Sequence, residues 1–128
     1  MHGIASVALF LEHFRRQQVE LGVVEVGVGG RSDLTNVLRT RVAAITNVGL
    51  DHLRTLGPTL EAIAWHKAGI IRRGCRAVVH ARTPRDPARL AAERRARAVG
   101  ATLRLVTTGS ASVAAPAMWP SKLNWAGV

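Results

Sequence analysis

Val23-Val24-Glu25-Val26-Gly27-Val28-Gly29-Gly30-Arg31-Ser32-Asp33-Leu34-Thr35-Asn36 is the stretch on which the fold turns. Residues 21–26 are apolar except for Gly22 and Glu25, which predicts a strand. Near-continuous apolarity belongs to a sheet covered on both faces, and such sheets are parallel. The segment then opens into a glycine-rich turn that closes on Asp33, Thr35 and Asn36. A carboxylate at a strand end, beside flexible backbone, is how α/β proteins hold a metal or a phosphate-bearing ligand.

Outward from this stretch the periodicities alternate in kind. Residues 3–14 read as a helix, with Val7, Leu11 and Phe14 on one face and Arg15 and Arg16 suited to its C-terminal end. Residues 27–41 read as loop, with a helical turn near Thr35. A second strand is expected over 42–48 and a loop over 49–58. Thr59 suits the cap of a helix over 60–68 that Gly69 helps to end. A strand over 76–80 follows. Pro87 then opens a helix that finishes near Gly100, with Leu90, Ala91, Ala98 and Val99 as its apolar pattern. A last strand covers 102–106. This alternation predicts a parallel α/β layer with four strands, in three layers. Residues 1–106 form the expected domain, and 107–128 an irregular tail that is small, turn-rich and without period.

Composition narrows the class. The chain has 128 residues, enough for one domain with a real core, and 48% are hydrophobic, which excludes a disordered composition. One cysteine, Cys75, excludes an internal disulfide and is read as structural. No apolar run approaches the roughly 20 residues of a membrane span, and no basic segment precedes the apolar N-terminal run. The expectation is a cytoplasmic protein without a membrane partner. Net charge is +10, and ten arginines between Arg72 and Arg104 face only Asp86 and Glu93. Such a field attracts polyanions. Without aromatic interleaving, zinc-finger spacing or a helix-turn-helix, the arginines of 88–99 read as a solvated helix face, not a nucleic-acid surface.

Four segments in order carry a resemblance. Residues 24–36 match a Val-Glu-Val-Gly-Leu-Gly-Gly-Arg-Leu-Asp-Ala-Thr-Asn run, with Ser32 and Leu34 the loosest positions. Ile45-Thr46-Asn47-Val48-Gly49-Leu50-Asp51-His52 matches Ile-Thr-x-Ile-Gly-Leu-Asp-His. Residues 56–64 match Leu-Gly-x-Thr-Leu-x-x-Ile-Ala, and Lys67-Ala68-Gly69-Ile70-Ile71 matches Lys-Ala-Gly-Ile-Ile. The chain thus resembles the central ATPase domain of the folylpolyglutamate synthase and dihydrofolate synthase family, within the Mur ligase superfamily. The match is strong over 19–79, weaker in the flanks and absent after Val106. It implies a P-loop NTPase-like domain of the Mur ligase type, here partial. No Gly-x-x-x-x-Gly-Lys-Ser/Thr phosphate loop occurs in the sequence.

In this family ATP and Mg2+ activate a folate or dihydropteroate carboxylate as an acyl phosphate, and the amino group of L-glutamate attacks it to form an amide. Complete members are usually monomers. The resemblance implies that Glu25 binds magnesium beside the phosphates and that His52 serves a second magnesium. Read from residues alone, Glu25 is more often a strand-end carboxylate paired with an arginine, and Asp51-His52 more often a loop cap with a surface histidine. The resemblance implies that Lys67 is carbamylated and acts as an anion near the second metal. The plain alternative is a basic residue favourable at a helix C-terminus. His66 stands where the family has Glu, which removes a negative charge beside Lys67. Gly27, Gly29 and Gly30 are read as letting backbone approach the nucleotide, or else as a tight turn with no ligand. Asp33, Thr35 and Asn36 are expected to brace that loop through side-chain to backbone bonds. Glu25, His52 and Lys67 are expected at one sheet edge, beyond the carboxyl ends of the strands. Three functions follow: a piece of the folate-pathway ligase, inactive alone; a folded but non-catalytic fragment; or an arginine-rich module for an anionic partner or nucleic acid.

Overall fold

The computed structural model describes residues 2–107, which divide between two compact units, 2–25 and 26–107. The expected tail lies, but for Thr107, outside the described residues.

In the first unit, α1 spans His2–Arg16. Its last turn is basic, as the helix dipole favours. Arg15 and Arg16 both donate to Glu12 from Nε at 2.7 Å, at the i+3 and i+4 positions that meet on a helix surface. These bonds, Arg15's first, pull the Glu12 carboxyl down to about 2. Phe10 and Phe14 meet one turn apart, ring centres 5.7 Å apart and planes tilted by 59°, and Gly22 lies close against the Phe14 ring.

The second unit is a parallel three-stranded sheet in the order β1-β2-β3, with β1 at Val42–Ile45, β2 at Arg76–His80 and β3 at Thr102–Val106. Parallel neighbours need crossover connections. The one-turn α2 (Leu53–Leu56) and α3 (Leu60–Ala68) supply the first, and α4 (Pro87–Val99) the second. Register aligns Ala43, Ala77 and Leu103 in one row and Ile45, Val79 and Leu105 in another. This face carries the core, with Ile71, Cys75 and Ala68 joining it. The alternate rows, Val42-Arg76-Thr102 and Ala44-Val78-Arg104, belong to the opposite face.

α4 packs on β2, β3 and α3 through Ala88, Ala92 and Ala96, each almost fully buried and four residues from the next. Small side chains at that spacing let the helix lie close to its neighbours. Ile63, Ile71 and Val79 are fully buried, each worth about 1.5–3 kcal/mol in area removed from water. Thr59 Oγ1 accepts from Ala62 N–H at 3.1 Å, capping α3. Asp86 caps α4, its Oδ1 accepting from Ala88 N–H at 2.9 Å, with Pro87 just inside. Cys75 is buried, and its sulfur accepts from Arg72 N–H, the structural role expected of it.

Four expectations need correction. Residues 21–26 form no strand, and Val23 is 89% exposed. An apolar run becomes a strand only with a neighbour to complete its ladder, and among the described residues the sheet has three strands, not four. β1 ends at Ile45 rather than Val48, and beyond it His80 Nδ1 lies 3.1 Å from the Thr46 carbonyl. The 49–58 loop contains α2, a single turn too short to show a period. The buried stripe of α4 is Ala88-Ala92-Ala96, while Leu90 is 47% exposed: three alanines are a weak apolar signal beside a leucine. Within the second unit the helices cover one sheet face. No helix among the described residues is long and apolar enough to cross a membrane.

Candidate functional site

The glycine-rich loop is built around Asp33. Its Oδ2 accepts from Val28 N–H at 3.1 Å and its Oδ1 from Thr35 N–H at 2.9 Å and from the Thr35 hydroxyl. The loop therefore folds onto one carboxylate that also caps the 3-10 turn Leu34–Val37. Burial raises the Asp33 pKa, but the bonds from Thr35, Val28 and Gly27 outweigh it and the net shift is downward.

Asn36 ties this loop to the segment after α3. Its Nδ2 donates to the Arg31 carbonyl at 3.0 Å and reaches the Gly69 carbonyl at 3.4 Å. Its Oδ1 accepts from Arg72 Nε at 3.2 Å. The expected bracing by Asp33 and Asn36 is present, and Asn36 braces across 33 residues of sequence as well as locally.

The glycines have a local cause. Gly30 sits at φ +143°, and a Cβ there would come within 2.7 Å of Ile70 Cγ2, with the His66 and Lys67 carbonyls at 3.2 and 3.3 Å. Gly29, at φ +69°, would place a Cβ 2.6 Å from Leu56 Cδ2. Gly69 returns the contact, since a Cβ on it would strike Arg31 at 2.4 Å. Loop and helix end thus interlock at backbone distance. Gly27 differs: it is exposed, and its crowding comes from Asp33.

Lys67 lies in the last turn of α3 and is half-buried. Its carbonyl accepts from Ile70 N–H at 3.3 Å. Among the described residues its side chain has no hydrogen bond or ion pair. His66 accepts through its carbonyl from Arg31 N–H at 2.9 Å, and its ring meets Trp65 edge-on at 4.9 Å. His52 caps α2 in the left-handed region at φ 50°, held by Asp51 Oδ1 accepting its N–H at 2.7 Å. Its Nε2 lies 3.6 Å from Asp51 Oδ2, and half of its side chain is exposed. The structure therefore gathers Gly29, Gly30, Asp33, Asn36 and Lys67 around the end of α3, with α2 packed beside α3 through a buried Leu56. Glu25 is the exposed last residue of the first unit, and it is not at a strand end.

Two residues passed over in the sequence hold this arrangement. The Arg31 guanidinium lies 3.7 Å from the centre of the Trp65 ring, and its Nη2 donates to the Trp65 carbonyl at 3.3 Å. Its Nε is buried without a hydrogen-bond partner among the described residues. Burial first, then the charge of Arg95, lowers the Arg31 pKa. The signal available in the sequence was the Trp-His pair ahead of Lys67, which leaves Arg31 no acid at that helix end.

The Mur ligase middle domain model matches residues 4–119. Over 67 residues, 52% of this chain, the chain is 54% identical to folylpolyglutamate synthase of Lacticaseibacillus casei. Over 69 residues, 54% of this chain, it is 44% identical to dihydrofolate synthase/folylpolyglutamate synthase of Haemophilus influenzae. It spans 16% of the length of each of these curated relatives. The apo form of L. casei FPGS superposes with a TM-score of 0.67 at 41% identity, over 73% of this chain and 22% of that one. An FPGS–AMPPCP–folate complex gives 0.68 with the same identity and coverage. Folylpolyglutamate synthase of Thermotoga maritima gives 0.61 at 33% identity, covering 73% of this chain and 20% of that one.

Proposed function

We propose a function from one established premise: the chain belongs to the Mur ligase middle domain family. Its relatives are folylpolyglutamate and dihydrofolate synthases, and related solved structures carry AMPPCP and folate. On this reading the chain is the central ATPase part of an ATP-dependent ligase that joins L-glutamate to folate or dihydropteroate. The observation that carries it is the 41% identity with FPGS structures across 73% of the chain.

The chemistry is acyl activation. A carboxylate oxygen of the folate or dihydropteroate takes the γ-phosphoryl group of ATP, and ADP leaves. The glutamate amine then attacks the acyl carbon, the C–N bond forms, phosphate departs with the C–O bond pair, and the nitrogen releases a proton to solvent. Catalysis of phosphoryl transfer is mostly positioning and charge stabilisation. Bound magnesium offsets phosphate charge. Glu25 is assigned to the ion beside the phosphates and His52 to a second one. Among the described residues no group of three or more His, Cys, Asp or Glu is placed to hold an ion. Magnesium takes one or two carboxylates and fills its shell with water and phosphate oxygens. Lys67, with no side-chain partner among the described residues, is the residue assigned to carbamylation, which requires its neutral amine. Gly27, Gly29, Gly30, Asp33 and Asn36 shape the loop assigned to the nucleotide. Residues 1–106 are the assigned catalytic-domain portion, and the whole enzyme is read as a cytoplasmic monomer with no nucleic-acid partner.

The 128-residue chain, without a phosphate-loop motif, does not add glutamate by itself. The test is a titration with magnesium and AMPPCP followed by backbone NMR. Shifts should centre on Gly27, Asp51 and Lys67, and the magnesium-dependent part should vanish in Glu25→Ala but survive in Arg94→Ala. Shifts that centre on Asp86 and Glu93, or persist in Glu25→Ala, would overturn the assignment. ADP release that requires both pteroate acceptor and glutamate would overturn the inactivity of the chain alone.

A further inference from the structure

We propose that Arg31 and Arg95 together form a binding site for an oxyanion, a phosphate or carboxylate group, beside the C-terminal end of α3. Both side chains seat on the same short segment. Arg31 rests on Trp65 and packs against Gly69, while Arg95 reaches across from α4 to donate Nε to the Ile71 carbonyl at 3.0 Å. Two like charges are brought towards one helix end, and among the described residues no carboxylate pairs with either. The ion pairs among the described residues join Glu12 to Arg15 and Arg16, Asp51 to His52, and Glu93 to Arg89.

Their hydrogen bonding points the same way. Among the described residues the Nη groups of Arg95 donate to nothing, and Arg31 leaves Nη1 unused and Nε buried without an acceptor. The guanidinium fork matches the spacing of carboxylate and phosphate oxygens. The carbonyls at the end of α3 are already turned to Arg31 N–H, Gly69 N–H and Arg95 Nε, so they anchor the arginines and leave their outer edges for a ligand. The charge of Arg95, which after burial depresses the Arg31 pKa, is offset by a bound anion. This inference is independent of the nucleotide site assigned above.

The test uses the full chain at fixed ionic strength, with inorganic pyrophosphate and γ-linked triglutamate as separate probes. Arginine Nε–H resonances are followed by NMR. Saturable shifts of the Arg31 and Arg95 signals are expected with at least one probe, and the tighter probe identifies phosphate or carboxylate as the source. Arg95→Gln should weaken binding at least about tenfold, the loss of one charge-assisted fork. Arg95→Lys should fall between, since it keeps the charge without the fork. Arg94→Ala, one residue along α4, should bind within about twofold of the parent. Equal losses in Arg94→Ala and Arg95→Gln would mean that the basic field acts without a site, and would overturn the inference. Shifts confined to Gly27 and Lys67, with the two arginine signals unmoved, would also overturn it while leaving the nucleotide site standing.

Discussion

Gly30→Ala gives the sharpest test of how the loop and α3 interlock. The new Cβ has two costs. At φ +143° an L-residue is strained by about 1–3 kcal/mol. Its contact at 2.7 Å with Ile70 Cγ2 forces a core-edge side chain to move, and the carbonyls of His66 and Lys67 at 3.2 and 3.3 Å cannot yield without disturbing the helix end. Overpacking of this kind costs roughly 1–3 kcal/mol more. The sum, about 2–5 kcal/mol, is a large share of the roughly 5–15 kcal/mol by which natural domains are stable. Gly49→Ala is the control: nothing lies within 4 Å of its Cβ position and its φ is not positive. Urea unfolding followed by circular dichroism should show a much lower midpoint for Gly30→Ala, and little change for Gly49→Ala. Equal midpoints with unchanged slopes would refute the reasoning, because the loop would then not be held at backbone distance from α3.

Two further outcomes follow from the same region. The lowered pKa of Asp33 means that its contribution is fully present above the unfolded carboxylate value near 3.9 and is lost as pH falls through the lower folded value; amide exchange at Val28 and Thr35 should therefore rise selectively in acid, and Asp33→Asn should raise it already at pH 7. Trp65→Ala removes the face on which Arg31 lies, a half-exposed cation–π contact worth about 0.5–1 kcal/mol; a fall in urea midpoint of that size is expected, and a double-mutant cycle with Arg31→Ala that shows no coupling would contradict it.

The second unit was legible where local chemistry and long-range packing agree. Thr59, Pro87 and Gly69 mark helix ends by hydrogen-bond supply and backbone freedom, and those helices stand where the residues put them. β3 was readable because Leu103 and Leu105 alternate with Thr102 and Arg104, and β2 because the short apolar run Ala77-Val78-Val79 lies between Gly74 and Pro84. The run at 21–26 misled because apolarity reports a wish to be buried, while a strand also needs backbone on either side. α2 escaped because one turn has no period. In the site, Asp33 and Asn36 were readable since short polar side chains after glycines bond local backbone. Arg31 was not: its importance depends on Trp65, 34 residues away, and no spacing rule encodes that meeting.

That meeting also explains why separate motifs keep company. Gly29 and Gly30 are small because Leu56 and Ile70 occupy the space beside them, and Gly69 is small because Arg31 does. Asn36 is held by Gly69 and Arg72, and Arg31 by His66 and Trp65. The glycine-rich loop, the turn before α3 and the Lys-Ala-Gly-Ile-Ile segment are thus three faces of one contact. A change in any of them shifts the backbone that carries Lys67. Arg31 itself lies on the Trp65 face, with its Nε buried and unpaired among the described residues.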